Sequence, residues 1–123
     1  MKVDTGLGSD TSPSAIAAAA RELDGRGWDA VWSAETNHDP FFPLLIAAEH
    51  SERMELGTGI AVAFARSPMT LANIGWDLQS FSEGRFILGL GSQIKAHIEK
   101  RFSMPWSHPA PRMRELIAAI RAI

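Results

Sequence analysis

Residues 54–90 read MELGTGIAVAFARSPMTLANIGWDLQSFSEGRFILGL, the clearest strand–helix–strand pattern in the chain. Apolar and polar or small residues alternate from Met54 to Ala61, which predicts a strand over that range. The next segment has a serine cap, a first-turn proline and a glycine stop, and its apolar stripe consists of Leu71, Ile74, Leu78 and Phe81. These are the signals of a helix. Arg85–Leu90 is apolar on both sides, as in a parallel strand covered on both faces.

The same alternation of strands and helices extends in both directions from this stretch. Two earlier strands are predicted at Lys2–Leu7 and Trp28–Ser33, where β-type residues form short runs. Proline commonly occupies the first turn of a helix. Three further helices are therefore predicted to begin at Pro13, Pro43 and Pro111.

The spacing of the strands predicts the architecture. Successive strands recur about 26 to 31 residues apart, measured between Val3, Ala30, Leu56 and Ile87, which is close to the repeat of an eight-stranded β/α barrel. We therefore expect residues 1–123 to form one α/β domain, the N-terminal half of a (β/α)8 TIM barrel with four parallel strands and flanking helices. A doubly wound sheet of five strands is the alternative, and it requires one more strand.

Composition excludes several classes of protein. The 123 residues are 46% hydrophobic and 21% charged, with a net charge of −2 and no cysteine, which is typical of a globular domain and excludes disulfides and thiol chemistry. Basic residues are scattered, so no nucleic-acid partner is predicted. No apolar stretch approaches the roughly 18 residues of a membrane span. Without a secretory signal pattern, a cytoplasmic protein is expected.

The loop after the second predicted strand is the leading candidate site, because reactive groups of β/α barrels lie at the carboxyl ends of strands. This loop, Glu35–Phe42, holds two carboxylates, an imidazole and two aromatic rings. The alternative is that Asp39 only caps the next helix while His38 is exposed. Imidazole and carboxylate groups suit divalent ions. No metal is predicted, however, because no alternating pair of ligands lies on a strand.

The other three loops carry weaker signals. The first, Gly8-Ser9-Asp10, has no distinctive chemistry. After the third strand, Arg66 is interpreted as binding an anion or facing water. The fourth loop begins like a phosphate loop but lacks the third glycine of the dinucleotide fingerprint. We expect Gly91 and Ser92 to admit a flat ring while Gln93 and His97 supply hydrogen bonds; a plain strand-to-helix turn is the alternative.

Two segments, GTGIAVAFARSP at residues 57–68 and SEGRFILGLG at residues 82–91, resemble the luciferase-like monooxygenase superfamily. The stretches AETNHDPF at 34–41 and QIKAHIEKRF at 93–102 further resemble an actinobacterial-type branch that uses the deazaflavin coenzyme F-420. The resemblance covers the whole chain and implies a luciferase-like (β/α)8 barrel. It also implies an oxidoreductase that binds coenzyme F-420, or alternatively FMN, in the barrel mouth and transfers a hydride at the ring.

The resemblance also implies roles for individual residues. The end of strand three, at Val62, Ala63 and Phe64, would lie under the ring as a bulge, often with a non-prolyl cis peptide. Glu35 and His38 would be the catalytic groups after strand two, although many deazaflavin enzymes have an adjacent Asp-His pair where this chain separates the two residues. Ring or substrate contacts would come from Gly91, Ser92, Gln93 and His97.

The family's main phosphate-binding loops lie in the second half of the barrel. The resemblance therefore implies that this chain is a truncated N-terminal fragment of an enzyme that acts on a small-molecule substrate and forms a homodimer at full length. A non-catalytic luciferase-like assembly partner is one alternative. An aldolase-type barrel is another, but such chemistry favours a lysine on a strand, and the lysines are Lys2, Lys95 and Lys100.

Overall fold

The computed structural model describes residues 1–7 and 12–123, so the loop Gly8-Ser9-Asp10 lies outside the described residues. The strands are β1 (Asp4–Gly6), β2 (Ala30–Ser33), β3 (Glu55–Thr58), β4 (Ala61–Val62), β5 (Phe86–Ile87) and β6 (Leu90–Gly91). The helices are α1 (Pro13–Gly25), α2 (Phe41–Glu49), α3 (Pro68–Phe81), α4 (Lys95–Lys100) and α5 (Pro109–Ala122), with a 3-10 turn at Ala63–Ala65.

The main sheet is parallel, with the strand order β1-β2-β3-β5. This sequential order confirms the predicted half-barrel arrangement and differs from the doubly wound orders, in which the chain reverses its direction across the sheet. The strands predicted at Met54–Ala61 and Arg85–Leu90 are each interrupted. Their second parts, β4 and β6, pair in a separate parallel sheet of two strands.

Helices cover one face of the sheet and form the core with it. Val31, Leu56 and Phe86 are aligned across neighbouring strands and are buried under the helices. Fully or nearly fully buried helix residues meet them, among them Leu44, Ala47, Leu71 and Leu78. The opposite face carries the Trp32 ring, which covers Gly57 so closely that a Cβ there would lie 2.2 Å from Trp32 Cζ3. Gly57 therefore leaves the space that the indole ring occupies.

The capping serines and first-turn prolines in the sequence predicted the first residue of each of the four longer helices to within two residues. The Ser12 and Ser67 hydroxyls accept the backbone N–H groups of Ala15 and Thr70, at 3.3 and 3.1 Å, as N-caps should. Helix α2 begins two residues before the predicted Pro43, and α5 begins two residues before Pro111. The short helix α4 was not predicted, because six residues give too little periodicity to detect.

Two charged residues tie the amino-terminal ends of the strands to the helices. Arg85 donates hydrogen bonds of 2.8 to 3.2 Å to the carbonyl groups of Ala48, Ser51 and Met54, and to the Ser51 hydroxyl. The Asp24 carboxylate accepts the backbone N–H groups of residues 52–54. Burial opposes ionisation, but these three bonds hold the pKa of Asp24 below its usual range.

Within the described part of the chain, no helix is long and apolar enough to cross a membrane.

Candidate active site at the carboxyl ends of the strands

Glu35, at the end of β2, lies buried beneath the loop that joins β2 to α2. Its side chain is 6% exposed, and its Oε2 atom accepts the Val62 backbone N–H and Arg66 Nη1, both at 2.7 Å. Arg66 Nη2 donates to Glu35 Oε1 at 3.1 Å, which completes a bidentate pair. Both carboxylate oxygens are therefore engaged, and the proposed proton-transfer role of Glu35 stays a prediction that this geometry does not favour.

Arg66 links the loop after β2 to the turn after β4. Its guanidinium also donates to Asp39 Oδ2 at 3.0 Å and lies 5.2 Å from the centre of the Phe41 ring. Burial opposes its charge, but the two carboxylates raise the pKa of Arg66 above its usual range. The expectation that Arg66 binds an anion or faces water is wrong, because its side chain is 14% exposed and paired within the protein.

His38 is exposed in the middle of this loop, between anchored neighbours. On one side, Arg101 at the end of α4 donates to the Thr36 carbonyl. On the other, Asp39 Oδ1 accepts the Phe41 N–H at 2.8 Å, next to the start of α2. The N-cap position of α2 is Pro40, which forms no side-chain cap, so Asp39 is not the N-cap residue that the alternative interpretation predicted. The exposure of His38 expected in that alternative is confirmed. Arg101 thus connects the end of α4 to this loop.

The residues expected under the ring are buried. Val62, Ala63 and Phe64 have exposed fractions of 1%, 0% and 0%. Val62 ends β4 and the other two belong to the 3-10 turn, so the break in the strand lies earlier, at Gly59 and Ile60. The expected cis peptide is wrong, since no peptide bond in the described part of the chain is cis.

Phe64 is covered by the segment that precedes α5. The Trp106 ring meets it edge-on at 5.7 Å, and the Arg112 guanidinium lies 4.2 Å from its centre. Arg112 also donates to the Pro105 carbonyl at 2.6 Å. Sequence reasoning missed Trp106 and Arg112, because they lie more than 40 residues after Phe64 and no local pattern joins them. Phe64 could therefore contact a cofactor, as predicted, only if Trp106 and Arg112 moved away from its ring.

Gly89 and Gly91, at the start of the fourth loop, allow close packing against residues 58–60, at and after the end of β3. A Cβ on Gly89 would lie 1.9 Å from the Thr58 carbonyl oxygen, and one on Gly91 would lie 1.9 Å from Ile60 Cδ1. Ile60 occupies the space beside Gly91, and the role expected of Gly91 in admitting a flat ring stays a prediction. Gly91 pairs with Val62 across β4 and β6, so the structure brings Glu35, Val62 and Gly91 together.

Ser92 and Gln93 follow β6 and are half-buried. Gln93 has a left-handed backbone with φ of 62°, and its Oε1 accepts the Ile94 N–H at 3.0 Å. The Ser92 hydroxyl donates to the Gln93 carbonyl at 3.3 Å. His97 is exposed on α4. Across the described residues, no cluster of three or more potential metal ligands occurs. This edge offers a ligand hydrogen-bonding side chains from Ser92 and Gln93.

Comparison with known proteins identifies the family of this chain. The family profile described as luciferase-like monooxygenase matches residues 1–123. The chain belongs to the luciferase-like monooxygenase family. The resemblance drawn from SEGRFILGLG and its companion segments is thereby confirmed.

Similar proteins include an uncharacterized protein and a reductase. An uncharacterized protein of Mycobacterium tuberculosis is 62% identical over 123 residues, which are 100% of this chain and 36% of that protein. A 5,10-methylenetetrahydromethanopterin reductase of Methanolobus tindarius is 32% identical over 108 residues, 86% of this chain and 33% of the reductase. The chain thus spans about a third of the length of the curated relatives it matches.

Solved structures agree with the fold. The coenzyme F-420-dependent tetrahydromethanopterin reductase from Methanopyrus kandleri superposes with a TM-score of 0.83 at 25% identity, over 97% of this chain and 39% of that one. The oxygenating constituent of 3,6-diketocamphane monooxygenase from Pseudomonas putida, in complex with FMN, superposes with a TM-score of 0.82 at 15% identity, over 98% of this chain and 39% of that one. The second likeness shows the fold alone.

Proposed function

We propose that this luciferase-like chain carries part of the ring-binding site of an oxidoreductase that transfers a hydride between coenzyme F-420 and a small-molecule substrate. The observation that carries the proposal is the meeting of three loops at one edge of the sheet. Glu35 from the β2 loop contacts Val62 at the end of β4, and Val62 pairs with Gly91 at the end of β6. Ligands of parallel β/α folds bind at this edge. FMN is the alternative cofactor, as in the monooxygenase relative.

The accessible residues at this edge suit the rim of a ring. His38 and His97 are exposed, and Ser92 and Gln93 are half-buried. Their imidazole, hydroxyl and amide groups can donate and accept hydrogen bonds. The bound ring would supply the hydride chemistry. Val62, Ala63 and Phe64 are buried and would support the site from beneath.

Within the proposal, His38 is the group that exchanges a proton with the substrate. An exposed imidazole within reach of a substrate can serve as a general acid or base. Glu35 is a poorer choice, because Arg66 and the Val62 N–H already occupy its oxygens.

The test is a titration of the chain with coenzyme F-420 and, separately, with FMN, followed by cofactor fluorescence. We expect saturable but weak binding that favours F-420 and is lowered by Gln93→Ala and His38→Ala. The double variant Glu22→Gln/Arg26→Met, which alters an exposed ion pair on α1, is the control and should bind like the parent. Absence of saturable binding of either cofactor up to about 1 mM would contradict the proposal, since that concentration detects even interactions of about 4 kcal/mol.

The alternative of a non-catalytic assembly partner has one specific observation in its favour. Helices α2 and α3 expose Phe42, Leu45 and Phe81 at 69%, 41% and 59%, around a groove of about 250 Å3. We propose that a second copy of the chain covers this surface, which fits the homodimer expected of the full-length protein. Light scattering after size exclusion measures the oligomeric state. The proposal would be contradicted if the parent chain were a monomer and Phe42→Glu did not change that state.

The cytoplasmic location stays a prediction.

A further inference from the structure

We propose that Glu35 and Arg66 form a clamp that positions the β2–α2 loop, so that Glu35 is a positioning residue and not a proton-transfer group. The proposal rests on the proposed function only in taking His38 as the group to be positioned. The clamp is defined as the side chains of Glu35, Arg66 and Asp39 with the hydrogen bonds that join them.

The clamp connects three segments through hydrogen bonds of normal length. Glu35 Oε2 receives the Val62 N–H and Arg66 Nη1 at 2.7 Å each. Arg66 Nη2 reaches both Glu35 Oε1, at 3.1 Å, and Asp39 Oδ2, at 3.0 Å. Arg66 Nη1 also donates to the Val62 carbonyl at 3.2 Å. The loop after β2 is thereby fastened to the end of β4 at both of its carboxylates.

The anchors lie on both sides of His38. Glu35 and Thr36 are held before it, the latter through its carbonyl by Arg101. Asp39 is held after it by Arg66, and its other oxygen accepts the Phe41 N–H. His38 itself is exposed. Only Asn37 lies between the anchored Thr36 and His38, and the anchored Asp39 follows His38 directly. The backbone of His38 therefore has little freedom.

Burial argues that the clamp serves geometry more than stability. Glu35 and Arg66 have side chains only 6% and 14% exposed. Removing two charges from water costs nearly as much as their attraction returns, so a buried ion pair adds little stability over apolar residues of similar size. A bidentate guanidinium–carboxylate pair does, however, define one orientation of both partners.

The test compares hydrogen exchange in the 123-residue chain and in the double variant Glu35→Gln/Arg66→Met. The single change Arg66→Met would leave the buried Glu35 carboxylate unpaired and destabilise the whole chain. The double variant removes both buried charges and leaves only the Asp39 carboxylate, whose side chain is 34% exposed. The matched control is Glu22→Gln/Arg26→Met, the same chemical change in an exposed ion pair with a 2.9 Å separation. Global stability of all three proteins is measured by urea unfolding.

Two amide protons report the result by NMR. The Val62 N–H donates to Glu35 and should exchange about tenfold faster in the double variant, because the charged carboxylate acceptor is replaced by the neutral and weaker amide oxygen of glutamine. The Leu56 N–H, in β3 of the main sheet, donates to the Arg85 carbonyl and should keep its exchange rate. The imidazole resonances of His38 should shift or broaden in the double variant and remain unchanged in the control.

The proposal is overturned if the double variant keeps both the Val62 exchange rate and the His38 resonances of the parent. It is equally overturned if the amide protons of Leu56 and Val62 both exchange faster, because the Glu35–Arg66 pair would then stabilise the whole fold and not only the loop. No cofactor is present in this experiment. Failure of the F-420 and FMN titrations would therefore contradict the proposed function and leave the clamp proposal standing. Unchanged Val62 exchange and His38 resonances would contradict the clamp proposal and leave the proposed function standing.

Discussion

Gly89→Ala should be among the most destabilising substitutions in the chain, although it adds only one methyl group. The added Cβ would lie 1.9 Å from the Thr58 carbonyl oxygen and 3.1 Å from its carbon. Carbon and oxygen atoms rarely approach closer than about 3.3 Å, so the two segments would have to separate by roughly 1.4 Å. The atom in the way belongs to the backbone, so no change of rotamer relieves the contact.

Separation would break hydrogen bonds that hold the two strands. The Gly89 N–H donates to Thr58 Oγ1 at 2.8 Å, and that hydroxyl donates to the Gly89 carbonyl at 2.6 Å. The same carbonyl accepts the Ala61 N–H at 2.8 Å. Loss of the two bonds with the Thr58 hydroxyl costs about 2 kcal/mol and overpacking about 1 to 3 kcal/mol, so we expect a loss of about 3 to 5 kcal/mol in the free energy of unfolding.

Urea unfolding, followed by tryptophan fluorescence and circular dichroism, measures this loss. Gly91→Ala is the matched comparison, because its Cβ would meet Ile60 Cδ1, the far end of a flexible side chain, and should cost about 1 kcal/mol. Gly25→Ala is the control, since nothing lies within 4 Å of its Cβ, and it should be neutral or stabilising by up to about 1 kcal/mol. A Gly89→Ala protein within about 0.5 kcal/mol of the parent would refute the reasoning.

Three other outcomes are expected from the same unfolding assay. Leu44→Ala, at a fully buried site, should lose about 2 to 5 kcal/mol, while Leu45→Ala, at a site 41% exposed, should lose far less; equal losses would contradict the described core. Arg85→Lys should lose about 2 to 3 kcal/mol, because a lysine cannot satisfy the four acceptors that Arg85 reaches; an unchanged urea midpoint would count against that network. The contribution of Asp24 is complete above its unfolded-state pKa near 3.8 and is lost as the pH falls through its lower folded-state pKa. The stability difference between the parent and Asp24→Asn should therefore shrink below that pH, and a constant difference would contradict the assignment.

Part of the candidate site was predictable because the chemistry of a barrel gathers at one edge. The loop Glu35–Phe42 stood out by its density of functional groups, and the structure does fasten it to the end of β4. The distribution of roles inside the loop was not predictable. Glu35 and His38 are equal candidates in the sequence, and only the position of Arg66, 31 residues after Glu35, separates a buried, paired carboxylate from an exposed imidazole.

The glycines show the same limit. Gly89-Leu90-Gly91 resembles the beginning of a phosphate loop, and the sequence alone allows that interpretation. Each glycine lies against a residue of the segment 58–60, Thr58 for Gly89 and Ile60 for Gly91. A missing side chain leaves no trace of what fills its place, so the reason for a glycine emerges only when the strands are aligned.

By itself, the sequence determined the element order, the parallel half-barrel and the helix caps at Ser12 and Ser67. These features depend on hydrophobic periodicity and on hydrogen bonds that span three residues, which act over short distances along the chain. The tertiary structure alone decided that Arg66 is internal, that Trp106 covers Phe64 and that the long strands break before β4 and β6. Each of these depends on contacts between residues far apart in sequence, where packing and desolvation, and not local propensity, determine the arrangement.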